Sequence, residues 1–132
     1  VQARRVDATP FIAAIVPALL ILCVTVMNEI PDFYGDRIVG KRNITVRIGR
    51  ERAVWLCFWV SLACFIFIAI SAAAGFLPRL SLICLLPLLS FVRIFFIARR
   101  NINNPHGFIP AIRGTIIAYS LAVVLLAISY LI

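Results

Sequence analysis

Acidic side chains are scarce in this chain: five Asp and Glu stand against 13 Lys and Arg. Charge of any kind is sparse. Only 14% of the 132 residues are charged, where a soluble domain carries about a quarter. With 64% of residues hydrophobic, no water-soluble core of this length could hide the apolar side chains. A membrane protein is implied. Histidine is almost absent too. His106 stands alone in the turn-forming run Asn101-Ile102-Asn103-Asn104-Pro105-His106-Gly107, and it reads as a loop residue in preference to a base. No Cys-x-x-Cys pair exists. Cys23, Cys57, Cys64 and Cys84 all fall in apolar runs, which points to buried small side chains and away from a thiolate metal site. There is no internal repeat, no low-complexity tract and no cleavable signal-peptide pattern. The first residue is Val and not Met, which suggests processing or a longer parent chain.

What is there is mostly spans. Four apolar runs, about residues 10–30, 53–74, 80–98 and 112–132, are each close to the roughly 20 residues that cross a bilayer. The expected architecture is an all-α membrane protein, one domain of four transmembrane helices. Pro17 and Pro87 should kink the first and third spans. Pro31 should end the first or start a short helix of its own. Trp55 and Trp59, four apart, share a face at interface depth, either as an anchoring belt or as a tunnel wall. Gly114 and Ala118 would let a neighbouring helix come close. Arg93 lies inside the third span, where long side chains snorkel to headgroups or meet a phosphate. Residues 1–9 form a polar lead-in with Arg4, Arg5 and Asp7.

The informative stretch is about residues 28–52. Three of the five acids, Glu29, Asp32 and Asp36, lie within eight positions where the first span ends. Six cations follow: Arg37, Lys41, Arg42, Arg47, Arg50 and Arg52. On a helix, Asn28, Asp32 and Asp36 would form one column with Glu29 beside it. Stacked carboxylates repel, so water, the nearby bases or a divalent cation must offset them. Mg²⁺ is often held by one or two carboxylates plus substrate phosphates, and the bases could meet the remaining phosphate charge. A solvated helix end is the equal alternative. Gly40 should close this helix in a left-handed conformation. Ile44, Val46 and Ile48 alternate with polar residues and read as a short extended segment.

The run Asn-Glu-x-x-Asp-x-x-x-Asp-x-x-x-Gly-Lys-Arg-x-x-x-Val-Arg-x-Gly, residues 28–49, resembles the second aspartate-rich motif of the UbiA superfamily of intramembrane prenyltransferases. The helix pattern after it fits the second half of that family's nine-helix bundle. The first-half motif, Asn-x-x-x-Asp-x-x-x-Asp, has no counterpart here. The resemblance implies Mg²⁺-dependent transfer of a prenyl group from a prenyl diphosphate to an aromatic, quinone-precursor-like acceptor. It implies Asp32 and Asp36 as catalytic metal ligands supported by Asn28 or Glu29. Arg37, Lys41 and Arg42 would bind diphosphate. The details of the motif look most like the naphthoate, menaquinone-type branch. Implied partners are the lipid bilayer and a first half or other membrane subunits.

The net charge of +8 therefore needs no nucleic acid; headgroups, diphosphate and topology account for it. The loop after the first span carries six cations, the next carries Arg79 alone, and the last carries Arg99, Arg100 and Arg113. The positive-inside rule puts the motif on the cytoplasmic side, with Arg4 and Arg5 weighing the other way. A non-catalytic half-length homologue, serving as a structural subunit of a larger membrane complex, is the alternative. A transporter fits less well, because the acids sit at a membrane edge and not at the midplane.

Overall fold

Residues 9–131 are described by a computed structural model. The lead-in with Arg4, Arg5 and Asp7, and the final Ile132, lie outside the described residues. Six α-helices run in the order α1 (Thr9–Glu29), α2 (Phe33–Ile38), α3 (Ile44–Ile48), α4 (Arg50–Ala73), α5 (Leu88–Arg100) and α6 (Pro105–Leu131). A 3₁₀ helix, Arg79–Leu85, precedes α5. No strand occurs among the described residues.

Four segments are long and apolar enough to cross a membrane: Thr9–Glu29, Arg50–Ala73, Arg79–Arg100 and Pro105–Leu131. They close into a bundle. α1 packs against α4 and α6, α5 packs against α6 and α4, and the 3₁₀ helix fills in against α4 and α6. The shared core includes Leu20, Cys23, Phe65, Ile68, Phe108 and Ala122. The outer faces are apolar as well, with Phe11, Ile66, Ile70, Ile117 and Val124 exposed. Helices that are hydrophobic all round belong in lipid. Polar groups inside are few; Ser81 Oγ is buried with no hydrogen-bond partner among the described residues, while others bond within their own helix. Thr115 Oγ1 donates to the Ala111 carbonyl at 2.8 Å, and Ser129 Oγ to that of Leu126 at 2.7 Å. All four cysteines are buried free thiols.

The proline positions explain the breaks. Pro31 lies in the turn between α1 and α2, so the acidic stretch is not one continuous helix. Pro87 caps the start of α5 and divides the third span into its 3₁₀ and α portions. Pro110 is tolerated inside α6. Gly40 adopts φ 75°, the left-handed conformation expected just past a helix end, and Gly49 adopts φ 86° between α3 and α4.

Two expectations are corrected. Residues 44–48 are helical and not extended. Asn43 decides this: its Oδ1 accepts from the Val46 N–H at 2.8 Å, an N-cap that outweighs a five-residue alternation. The fourth span starts at Pro105, seven residues earlier than composition indicates, because proline suits a first helical turn. His106 is therefore an exposed first-turn residue and not part of a loop.

At Gly114, α6 lies close against Ile94 of α5. A Cβ there would lie 2.8 Å from Ile94 Cγ1. Gly114→Leu should overpack this contact and lower stability by about 1–3 kcal/mol. Thermal unfolding of the purified protein in detergent checks it, and an unchanged melting temperature would contradict this packing.

Candidate functional site

The acidic stretch folds as three short pieces tied to the end of the bundle. α1 ends at Glu29, the turn follows, and Asp32 leads into α2. The Asp36 N–H donates to the Asp32 carbonyl at 2.8 Å, so the two aspartates stay one helical turn apart. Their surroundings differ. Asp32 is exposed, whereas Asp36 is only 8% exposed.

Asp36 is fully committed. Lys41 Nζ donates to its Oδ1 at 2.6 Å and Asn43 Nδ2 to its Oδ2 at 2.8 Å. The Lys41 N–H also donates to its carbonyl at 2.9 Å. Glu29 is committed as well: one of its oxygens accepts from the Thr45 N–H at 3.3 Å and from Thr45 Oγ1 at 3.0 Å. Thr45 is completely buried, so Glu29 pins α3 to the end of α1.

These acids converge electrostatically on Lys41. The hydrogen bond that Lys41 donates to Asp36, and then the charge of Asp36, hold the ammonium above the ordinary lysine pKa, against a smaller desolvation effect, and Asp32 and Glu29 add to the rise. For a raised lysine the pairing is fully present below its unfolded value of about 10.4. It is lost only as pH climbs through the folded value, so the loop keeps this tie throughout the neutral range.

The remaining groups are open. Asn28, Asp32, Arg37 and Arg42 are exposed, and none of their side chains has a hydrogen-bond partner among the described residues. Only the Arg42 carbonyl is engaged, by Arg47 Nε at 2.9 Å. The same stretch thus carries one uncommitted carboxylate, two uncommitted guanidiniums and an exposed amide, together with the exposed Lys41 ammonium. Among the described residues, no group of three or more His, Cys, Asp or Glu side chains is placed to hold a metal ion. A closed protein cage is therefore absent from the described residues. The open oxygen donors do suit Mg²⁺, which keeps several waters and shares its shell with phosphates.

Arg50, at the start of α4, organises this end of the molecule, and sequence reasoning did not single it out. Its guanidinium donates to the Ile102 carbonyl at 2.8 Å, to Tyr34 Oη at 3.0 Å and to Asn103 Oδ1 at 3.0 Å. It also lies 4.8 Å from the Tyr34 ring centroid and 5.7 Å from that of Phe33. One side chain thereby joins α2, α4 and the α5–α6 turn. The turn is 52 residues away, which is why spacing could not reveal the contact. Asn43 and Thr45 were also missed. Only Asn43 carries a local signal, an Asn directly before an apolar run.

Inside the bundle, Cys23, Met27, Cys57, Phe91 and Thr115 line a cavity of about 50 Å³. Ligand pockets usually measure roughly 300–1,000 Å³. This cavity alone is too small for a long hydrocarbon.

The profile of the UbiA prenyltransferase family matches residues 1–109. The chain belongs to the UbiA prenyltransferase family. It is also similar to a protein of Oryza sativa subsp. japonica described as "Probable homogentisate phytyltransferase 1, chloroplastic", 38% identical over 34 residues. That stretch is 26% of this chain and 8% of the rice protein, so the match spans a small part of that relative's length. No solved structure matches the chain significantly. The four spans and the acidic–basic end of this UbiA-family chain make it an integral membrane protein.

Arg50→Ala should release α2 from the bundle end. Loss of charge-assisted hydrogen bonds, each worth about 1.5–3 kcal/mol, should raise amide exchange across residues 33–38 by at least about tenfold. Tyr34→Phe should raise it less. Hydrogen–deuterium exchange on the reconstituted protein measures both, and equal protection in Arg50→Ala would contradict the clamp.

Proposed function

We propose that this chain is the diphosphate-binding second half of a UbiA-type prenyltransferase. It would act with a first half that carries the other aspartate motif. The observation that supports this most is the motif's uncommitted carboxylate, Asp32, in the same short stretch as exposed Lys41, Arg37 and Arg42 just past the end of the first span, in a chain of this family.

The reaction transfers a prenyl group from its diphosphate to an aromatic acceptor. The allylic C–O bond breaks, and its electron pair leaves with the diphosphate. An acceptor ring carbon forms the new bond and gives up its proton to solvent. Charge growing on the leaving diphosphate is the barrier that the protein can lower. Asp32, with Asn28 at the end of α1 before it, would hold Mg²⁺, which would supply Lewis-acid stabilisation of that charge. Arg37 and Arg42 meet the outer oxygens. Lys41 has a second role. Its side chain is 63% exposed, so it can exchange Asp36 for a diphosphate oxygen. Asp36 then becomes available as a second metal ligand. Glu29 supports the loop through Thr45 and is a weaker ligand.

The prenyl tail lies between helices and against lipid, consistent with the small internal cavity, and the apolar spans exclude water that would quench the cation. The positive-inside count supports a cytoplasmic motif. A quinone precursor is the acceptor class that the motif favours. A second reading has its own support: with Asp36 and Glu29 satisfied internally, the loop could serve structure alone, as in a non-catalytic subunit.

Calorimetric titration of the full chain in nanodiscs with inorganic diphosphate separates these readings. Binding should require Mg²⁺, and Asp32→Ala should weaken it by about tenfold or more, the scale of one lost charge-assisted contact. Removal of Mg²⁺ with a chelator should abolish it. Diphosphate binding that ignores both Mg²⁺ and Asp32 would overturn the proposal in favour of the structural subunit.

A further inference from the structure

Arg93, Arg99 and Arg100 lie on α5, and their surroundings differ. The Arg99 guanidinium lies 5.4 Å from the Trp55 ring centroid. Arg93 and Arg100 have no such partner; both are exposed and border an open groove of about 500 Å³ with Phe96, Ile97 and Asn101. The asparagine is anchored, since its Nδ2 donates to the Ile97 carbonyl at 2.9 Å. Neither guanidinium has an acid or a hydrogen-bond partner among the described residues. Arg93 sits seven residues before the end of the helix, about 10 Å deeper along the axis than Arg100.

This face points away from the bundle. Leu89, Phe96 and the two arginines follow one another at spacings of four, three and four, and Leu89 is 82% exposed and Phe96 61%. The segment Arg79–Arg100 is long and apolar enough to cross a membrane, and none of the described residues covers this face. An uncompensated guanidinium on such a span is costly, and it is relieved by snorkelling to the interface, where phosphates are the anionic groups. The four described acids cannot serve. Glu29 and Asp36 are committed to Thr45 and to Lys41 with Asn43. Asp32 lies on the segment leading into α2, and Glu51 on α4.

We propose that Arg93 and Arg100 form a binding site for the headgroup of an anionic phospholipid. The phosphate would be shared between the two guanidiniums, and an acyl chain would run over Phe96 and Leu89. The argument is charge complementarity: two unpaired planar cations match phosphate oxygens, while the apolar flanks match the lipid tail and not a free ion. The groove lies at the same end of the bundle as the acidic–basic motif, because Arg50 joins the α5–α6 turn to α2. A bound lipid would fix the depth of that end at the membrane surface. This site stands apart from the proposed transfer reaction and does not depend on it.

The test uses the full chain in nanodiscs containing equal phosphatidylglycerol and phosphatidylcholine, released and weighed by native mass spectrometry. The wild type should retain phosphatidylglycerol over phosphatidylcholine. R93Q/R100Q should lose about tenfold or more of that preference, in line with two lost headgroup contacts. R93K/R100K should keep part of it, and circular dichroism should show all variants equally helical. Asp32→Asn should leave retention unchanged, which keeps this result separate from the motif's own chemistry. Inorganic phosphate added in excess should not displace the lipid. The proposal is overturned if the wild type shows no preference, if R93Q/R100Q retains it, or if inorganic phosphate alone competes. No preference in the wild type would point to a carboxylate on a partner helix as the true counter-charge.

Discussion

A carboxylate that leaves water must bring its own positive charge and hydrogen-bond donors, and Asp36 shows how this chain meets that demand. One oxygen takes the Lys41 ammonium and the other takes the Asn43 amide. Because Asn43 is also the cap of α3, the same residue that satisfies the acid starts the next helix. Glu29 does the equivalent work from the end of α1 through Thr45. The segment between the first two spans, residues 30–49, is therefore not a slack link. It is a small folded cap whose ionic ties face the bundle end and whose unspent charges, Asp32, Arg37 and Arg42, face outward. Removing those ties would cost order first and chemistry second.

The bilayer explains why so much of the fold could be read in the residues. Spans must be long and apolar, and their polar interruptions are expensive, so α1 and α4 lie within about three residues of where composition put them. Proline and glycine positions were equally legible. Pro31 and Pro87 mark breaks, Gly40 takes a left-handed turn, and Gly114 marks a tight helix approach. The failures came where polar detail overrides pattern. A single Asn cap turned residues 44–48 into a helix, and a proline tolerated in a first turn moved the start of α6 back to Pro105.

The site was legible as a cluster and not as a network. The spacing of Glu29, Asp32 and Asp36 located the motif, and the family assignment agrees with it. What the spacing could not give was the division of labour. Two acids that look alike in sequence are buried and bound in one case, exposed and open in the other. Arg50 was hidden for another reason. Its partners belong to the α5–α6 turn and to α2, and only the closed bundle brings them within reach.

The central claim is that the open carboxylate of Asp32 grips a metal-bound diphosphate at the membrane edge. Mn²⁺ in place of Mg²⁺ makes that contact visible by electron paramagnetic resonance. With diphosphate present and unbound Mn²⁺–diphosphate washed away, the reconstituted chain should retain a Mn²⁺ spectrum with ³¹P hyperfine coupling, and this retained signal should vanish in Asp32→Ala. A spectrum indistinguishable from hydrated Mn²⁺, or a coupling that survives the loss of Asp32, would contradict the account.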